Sequence, residues 1–188
     1  MKIQKDGNKK TIIKAIFAWE DEKEEKWLEQ MAADGWKLTS VAPYVYHFER
    51  SQPEKVVFRL DYKNSIDKDY SEYLALFEDA GWELHTTFMG WHYFKINPNN
   101  QETPEIYNSA KAKAQKYRRL LLALIPMMPI YIFLFNPSVG LFRTEGALRA
   151  SALSTGLRIF FIVFFLFMIY CVIRVLVKIK ALESNSKE

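Results

Sequence analysis

"ADGWKLTS", residues 33–40, and "DAGWELHT", residues 79–86, are nearly the same words written 46 residues apart. Each reads as the end of a helix passing through a glycine into a strand. Gly35 and Gly81 stand where a helix C-terminus takes a left-handed residue, and Trp36 and Trp82 open the strand that follows. The spacing makes these four residues structural joints. Outward from the glycines the same offset holds: Leu28 corresponds to Leu74, Leu38 to Leu84, and Phe48 to Phe94.

The words around the joints have one order. "TIIKAIFAW" (11–19) is β-branched and aromatic, a strand. Asp21 is the expected N-cap of "EKEEKWLEQMAAD" (22–34), with Glu24 three residues on. Trp27, Leu28 and Met31 form its apolar stripe. "WKLTSVA" (36–42) and "VYHFER" (45–50) make a hairpin about Pro43-Tyr44. "KVVFRLDY" (55–62), "DKDYSEYLALFEDA" (67–80), "WELHTTF" (82–88) and "WHYFKI" (91–96) repeat the series, the second hairpin turning at Met89-Gly90. The first loop is read as some three residues longer in the second copy. The expected class is α+β: a tandem βαββ repeat in residues 1–96, built as one antiparallel sheet with two helices on one face, a ferredoxin-like variant.

Residues 97–117 read as a linker and a basic juxtamembrane segment, and 118–180 as a two-helix transmembrane hairpin with a cytoplasmic tail at 181–188. "LLLALIPMMPIYIFLF" (120–135) is uncharged and extends to about 142; "IFFIVFFLFMIYCVIRVLV" (159–177) carries only Arg174. At about 1.5 Å per residue, spans near 120–142 and 157–177 can cross a ~30 Å hydrocarbon core. Lys111, Lys113, Lys116, Arg118 and Arg119 precede the first, and Lys178 and Lys180 follow the second. This bias places both termini in the cytoplasm of a cell-membrane protein, against Arg143, Arg149 and Arg158 in or beside the connecting loop.

Charge follows the same division. Residues 1–110 hold 14 Lys/Arg against 19 Asp/Glu, a net of −5; residues 111–188 hold 12 against 3, a net of +9. The overall +4 therefore belongs to membrane flanks, and nucleic acid is not an expected partner. The lone Cys171 makes neither an internal disulfide nor a Cys-rich metal site.

Chemistry is sparse. No nucleophile elbow, phosphate loop or dinucleotide fingerprint occurs, so no catalytic residue, cofactor or metal ligand is assigned. With the hairpin paired through Phe88 and Trp91, His85, His92 and Glu83 would share one face, the basis of an alternative reading as a membrane-face enzyme or metal-binding protein. "EDEKEE" (20–25) suits the positive end of a helix. Among many aromatics, Tyr44, Phe88 and Trp91 at the turn tips, with His85 and His92, form the expected ligand or partner surface.

"FAWEDEKEEKWLEQMAADGWKL" (17–38), "YHFE" (46–49), "FRLDY" (58–62) and "AGWEL" (80–84), ahead of paired apolar runs, resemble the domain of unknown function numbered 2812 of Gram-positive bacteria. The resemblance covers about residues 12–96. It implies a cytoplasmic domain on a membrane anchor, often encoded near PadR-type regulators, and brings no catalytic residues. The expected function is a membrane-anchored binding or regulatory module without catalysis, its partners the lipid bilayer and a protein not named by the sequence, its oligomeric state open. A small transport or immunity component working through its spans is the other alternative.

Overall fold

The computed structural model describes residues 2–98, 106–107, 109–126, 129 and 152–184. The chain forms two compact units, Met1–Ala112 and Lys113–Glu188.

Unit 1 opens with strands β1 (Lys2–Asp6) and β2 (Lys9–Ile13). Helix α1 (Asp21–Ala33) follows, then the hairpin β3 (Trp36–Ala42) and β4 (Val45–Arg50). The second series is β5 (Val57–Tyr62), α2 (Tyr70–Asp79), β6 (Glu83–Phe88) and β7 (Trp91–Ile96). β1 was not expected from its polar sequence; it pairs with β2 through a tight turn, Asp6 opposite Lys9. The strand expected over 11–19 is Lys9–Ile13; Lys14 N continues its register with a bond to the carbonyl of Tyr44 at the hairpin tip, and the residues beyond are not strand.

The single sheet is replaced by two. One has the order β1-β2-β4-β3 and the other β5-β7-β6, all antiparallel. β3 and β6 approach each other without pairing, and each carries an irregularity against its own hairpin partner, at Leu38/Ser40 and Leu84/Thr86. At the far edge, β5 turns its free amides to a helix instead of a strand. Glu25 Oε1 accepts from Leu60 N at 2.8 Å, and Glu29 Oε1 from Phe58 N at 3.1 Å. Carboxylates thus satisfy the donors of an exposed strand edge and block further pairing.

The two series match in detail. The order within each sheet, helix-leading strand beside the last strand beside the middle one, is the same. The irregularities fall 46 residues apart, as do the left-handed positions Gly35 and Gly81 (φ 77° and 84°) and Tyr44 and Gly90 (φ 59° and 84°). The pairing partners differ: Thr11 faces His47 whereas Leu60 faces Tyr93. The stretch between those positions is therefore three residues shorter in the second series, not longer.

α1 lies between the sheets. Leu28, Met31 and Ala32 pack with Ile12, Leu38, Tyr46 and Phe48 of one and with Phe58, Leu60 and Tyr93 of the other. α2 covers the second sheet's other face with less apolar surface: Tyr73, Trp82 and Phe94 form its buried cluster. Trp36 and Trp82 are both buried, so each joint's tryptophan anchors its strand, in the first cluster and the second respectively.

α3 (Ala110–Leu124) starts at the end of unit 1 and runs on into unit 2, which also holds α4 (Ala152–Ser184). Arg118 of α3 is ion-paired with Glu183 of α4. Ile159–Ser184, which contains an 18-residue window of mean hydropathy 2.8, is a helix long and apolar enough to cross a bilayer. It contains most of the second expected span. The first expected span, 120–142, lies mostly outside the described residues.

Candidate functional site

The acidic run that reads as a helix-end charge cluster is largely interior. Asp21, Glu24 and Glu25 are all buried. Glu24 lies on the stripe with Leu28 and Met31, at spacings of four and seven. An acid on an apolar stripe was the available signal, and the run's length masked it.

Glu24 Oε1 accepts two phenolic hydroxyls, from Tyr46 of β4 at 2.9 Å and from Tyr93 of β7 at 2.8 Å. One oxygen thereby links the helix to both sheets. Burial pushes the Glu24 carboxyl above its usual range, and the two tyrosine bonds oppose that push. Both phenols are driven upward, first by burial and then by the carboxylate, so they remain donors. Lys14 stands over the Trp27 ring at 4.0 Å; burial lowers its pKa, and Glu24 acts the other way. This node is a hydrogen-bonded polar network inside the core, joining α1 to one strand of each sheet.

The histidines do not share a face. Thr87 pairs with His92 as expected, but the irregularity between Leu84 and Thr86 turns His85 to the opposite side. His85 Nε2 donates to Leu38 O at 2.6 Å, bridging β6 to β3 beside Phe58. Burial lowers the pKa of its ring, and the bond to Leu38 O opposes that. His92 is 1% exposed and faces α2, with Nε2 2.8 Å from Tyr70 Oη and Nδ1 3.0 Å from Gly90 O. Glu83 pairs with Lys95 at 3.4 Å. The three side chains thus do not converge, and no metal-binding group of three His, Cys, Asp or Glu occurs among the described residues.

The cleft beside His85 is lined by Lys37, Leu38, Ser51, Glu54, Phe58 and Lys95. It holds about 20 Å³, room for a water but not for an organic ligand. Of the other expected surface residues, Phe88 and Trp91 are half-buried against the first core cluster, Trp91 with its edge on Tyr62. Tyr44 alone is exposed, its ring edge on Phe17.

Sequence reading missed Tyr107. It lies in the stretch read as a linker, yet its hydroxyl donates to the buried Asp61 of β5, and Ile106 packs on the second cluster. The chain is therefore fastened to unit 1 just before α3.

The sequence pattern of the family described as "Protein of unknown function (DUF2812)" matches residues 20–128, more than half of the chain. The chain belongs to this family. No curated protein and no solved structure matches it. The DUF2812 match begins at Glu20, so it takes in α1 with its acidic run, both hairpins, the Tyr107 attachment and α3. β1, β2 and α4 lie outside it. The Glu24 node and the clasp of β5 thus fall within the DUF2812 segment, apart from Lys14.

Proposed function

We propose that the chain is a membrane-anchored binding or regulatory module that catalyses no reaction. The observation that carries this reading is how the reactive side chains are employed. Glu24, Glu25, Glu29, His85 and His92 all bond to other parts of unit 1. Side chains engaged in such internal bonds suit holding a partner rather than turning over a substrate.

The anchor is the apolar surface of α4, where Ile159, Phe160, Val163, Leu166 and Val177 are exposed along one broad face of the helix. With the run at 120–135 as a second span, both termini lie in the cytoplasm, as the flanking lysines and arginines favour. The matched strand orders, irregularities and left-handed positions support a duplicated βαββ ancestor for unit 1. A protein partner at the cytoplasmic face completes the reading, with a PadR-type regulator or an envelope response as its setting.

Affinity capture with the full chain from native membranes, with and without crosslinking, tests it. A specific protein recovered with the wild type, and lost when surface carboxylates of α2 such as Glu72 and Glu78 are reversed to Lys, supports a binding module. Capture of no specific protein from membranes or cytosol contradicts it.

A further inference from the structure

One end of unit 1 gathers its exposed apolar side chains. Tyr46 and Tyr93, each just past a hairpin turn, reach the same Glu24 in the first turn of α1. Both turns therefore lie at the N-terminal end of α1. β2 ends there as well, since Ile13 pairs with Val45, and so does β5, since Lys63 N donates to Gly90 O. Among the described residues of unit 1, six large apolar side chains are exposed, and four belong to this end: Ile13 (46%), Tyr44 (46%), Ile66 (84%) and Met89 (77%).

Tyr44 and Met89 are also the two non-glycine residues with positive φ among the described residues, at 59° and 47°. Side chains resist that conformation, and glycine occupies it freely at other turns of the fold. Two large apolar groups are thus held outward, at hairpin tips, against local strain.

The route of the chain says what covers them. From Ile96, at the other end of β7, the chain returns to Tyr107, which is bonded to Asp61 one residue before β5 ends at Tyr62 beside Trp91. α3 starts at Ala110, and the uncharged run starts at Leu120, ten helical residues or about 15 Å later. The apolar tips therefore lie at the end of unit 1 from which the chain departs for its anchor.

We propose that these tips rest in the interfacial zone of the phospholipid bilayer that anchors the chain; this rests on the membrane reading above. Tyrosine suits that zone, having an apolar ring and a polar tip. Charge at this end is mixed: Glu20 pairs with Lys23, and Lys63 with Asp67 and Asp69. Contact is accordingly apolar and does not depend on anionic lipid.

The test uses the full chain with Cys171→Ser and one added cysteine, Met89→Cys or Ile66→Cys at the tips, or Glu54→Cys as the control. Glu54 N binds Ala32 O, so it marks the opposite end of α1, about 20 Å away. Each protein carries an environment-sensitive fluorophore and is reconstituted into phosphatidylcholine vesicles with and without phosphatidylglycerol. Lipids bearing a quencher on the acyl chain should reduce emission from positions 89 and 66, but not from 54, equally in both lipid mixtures. Flotation with the vesicles but unquenched tips would overturn the tip proposal and leave the anchor standing. Failure to float would overturn both. Tip emission that shifts with protein concentration and not with the quenching lipid would assign the tips to a second copy of the chain, and so overturn the lipid contact.

Discussion

Tyr46 and Tyr93 lie in different sheets, 47 residues apart, yet donate to the same carboxylate oxygen of Glu24 at 2.9 and 2.8 Å. Without that oxygen two buried hydroxyls lose their acceptor together. Glu24→Ala should therefore destabilise unit 1 by about 2–4 kcal/mol, since each unsatisfied buried group costs roughly 1–3 kcal/mol. Glu24→Gln keeps an acceptor without burying a charge and should lose far less. Urea unfolding of the full chain in detergent, followed by tryptophan emission, measures both. Equal losses for the two variants would mean that the node contributes only packing.

The same carboxyl makes stability depend on pH. Its pKa in the folded chain is raised above 4.5, so the folded state holds the proton more tightly than the unfolded one. The stabilising contribution is full below about 4.5 and is lost as pH rises through the folded value. Glu24→Gln cannot titrate and lacks this loss. Relative to wild type, it should gain stability as pH is raised through the folded value. Lys14, Asp21, Tyr46 and Tyr93 face the same carboxyl and remain in both proteins, so the comparison isolates Glu24. A difference that stays constant with pH would show that Glu24 has no raised pKa.

Glu25 and Glu29 hold the edge of β5. Replacing both with Ala should leave the amides of Leu60 and Phe58 without their acceptors. Hydrogen exchange should speed up at those two amides while Arg59 and Asp61, in the same strand, change little. Self-association of the variant is a second expected outcome, because the edge is then open to another strand. Unchanged exchange at Leu60 would remove the clasp from the account.

The two joint glycines should differ. Both are left-handed, where a side chain costs roughly 1–2 kcal/mol. A Cβ on Gly35 would also stand 2.9 Å from the carbonyl oxygen of Ser51, whereas one on Gly81 would meet only Ile96 Cδ1 at 3.5 Å. Gly35→Ala should lower the unfolding midpoint clearly more than Gly81→Ala, and equal effects would count against the close approach at Ser51.

Tyr44 offers the converse. Tyr44→Gly relieves the strain at φ 59°, offset by the freedom glycine brings to the unfolded chain, for a net gain of up to ~1 kcal/mol. A more stable variant would show that the tyrosine is kept at the tip for something other than folding.

The elements of unit 1 were legible because their signals are local. The repeated Gly-Trp words mark two helix ends, and both hairpins begin and end close to where their strand patterns do. The arrangement of those elements was not legible. The irregularities at Thr39 and His85 are each a single residue out of step, and no residue type announces them. That one step also separated His85 from His92. The interior role of Glu24 was visible in its place on the apolar stripe, but the roles of Glu25 and Glu29 depend on a strand about 30 residues away. Tyr107 looked like any residue of a polar linker, and only the fold brings Asp61 to it.

The claim on which the functional reading depends is that α4 holds the chain in a bilayer. Alkaline carbonate extraction of membranes from cells expressing the full chain tests it most directly. The chain should stay in the membrane pellet, and a chain ending at Ala112 should appear in the supernatant. Release of the full chain by carbonate would contradict the account.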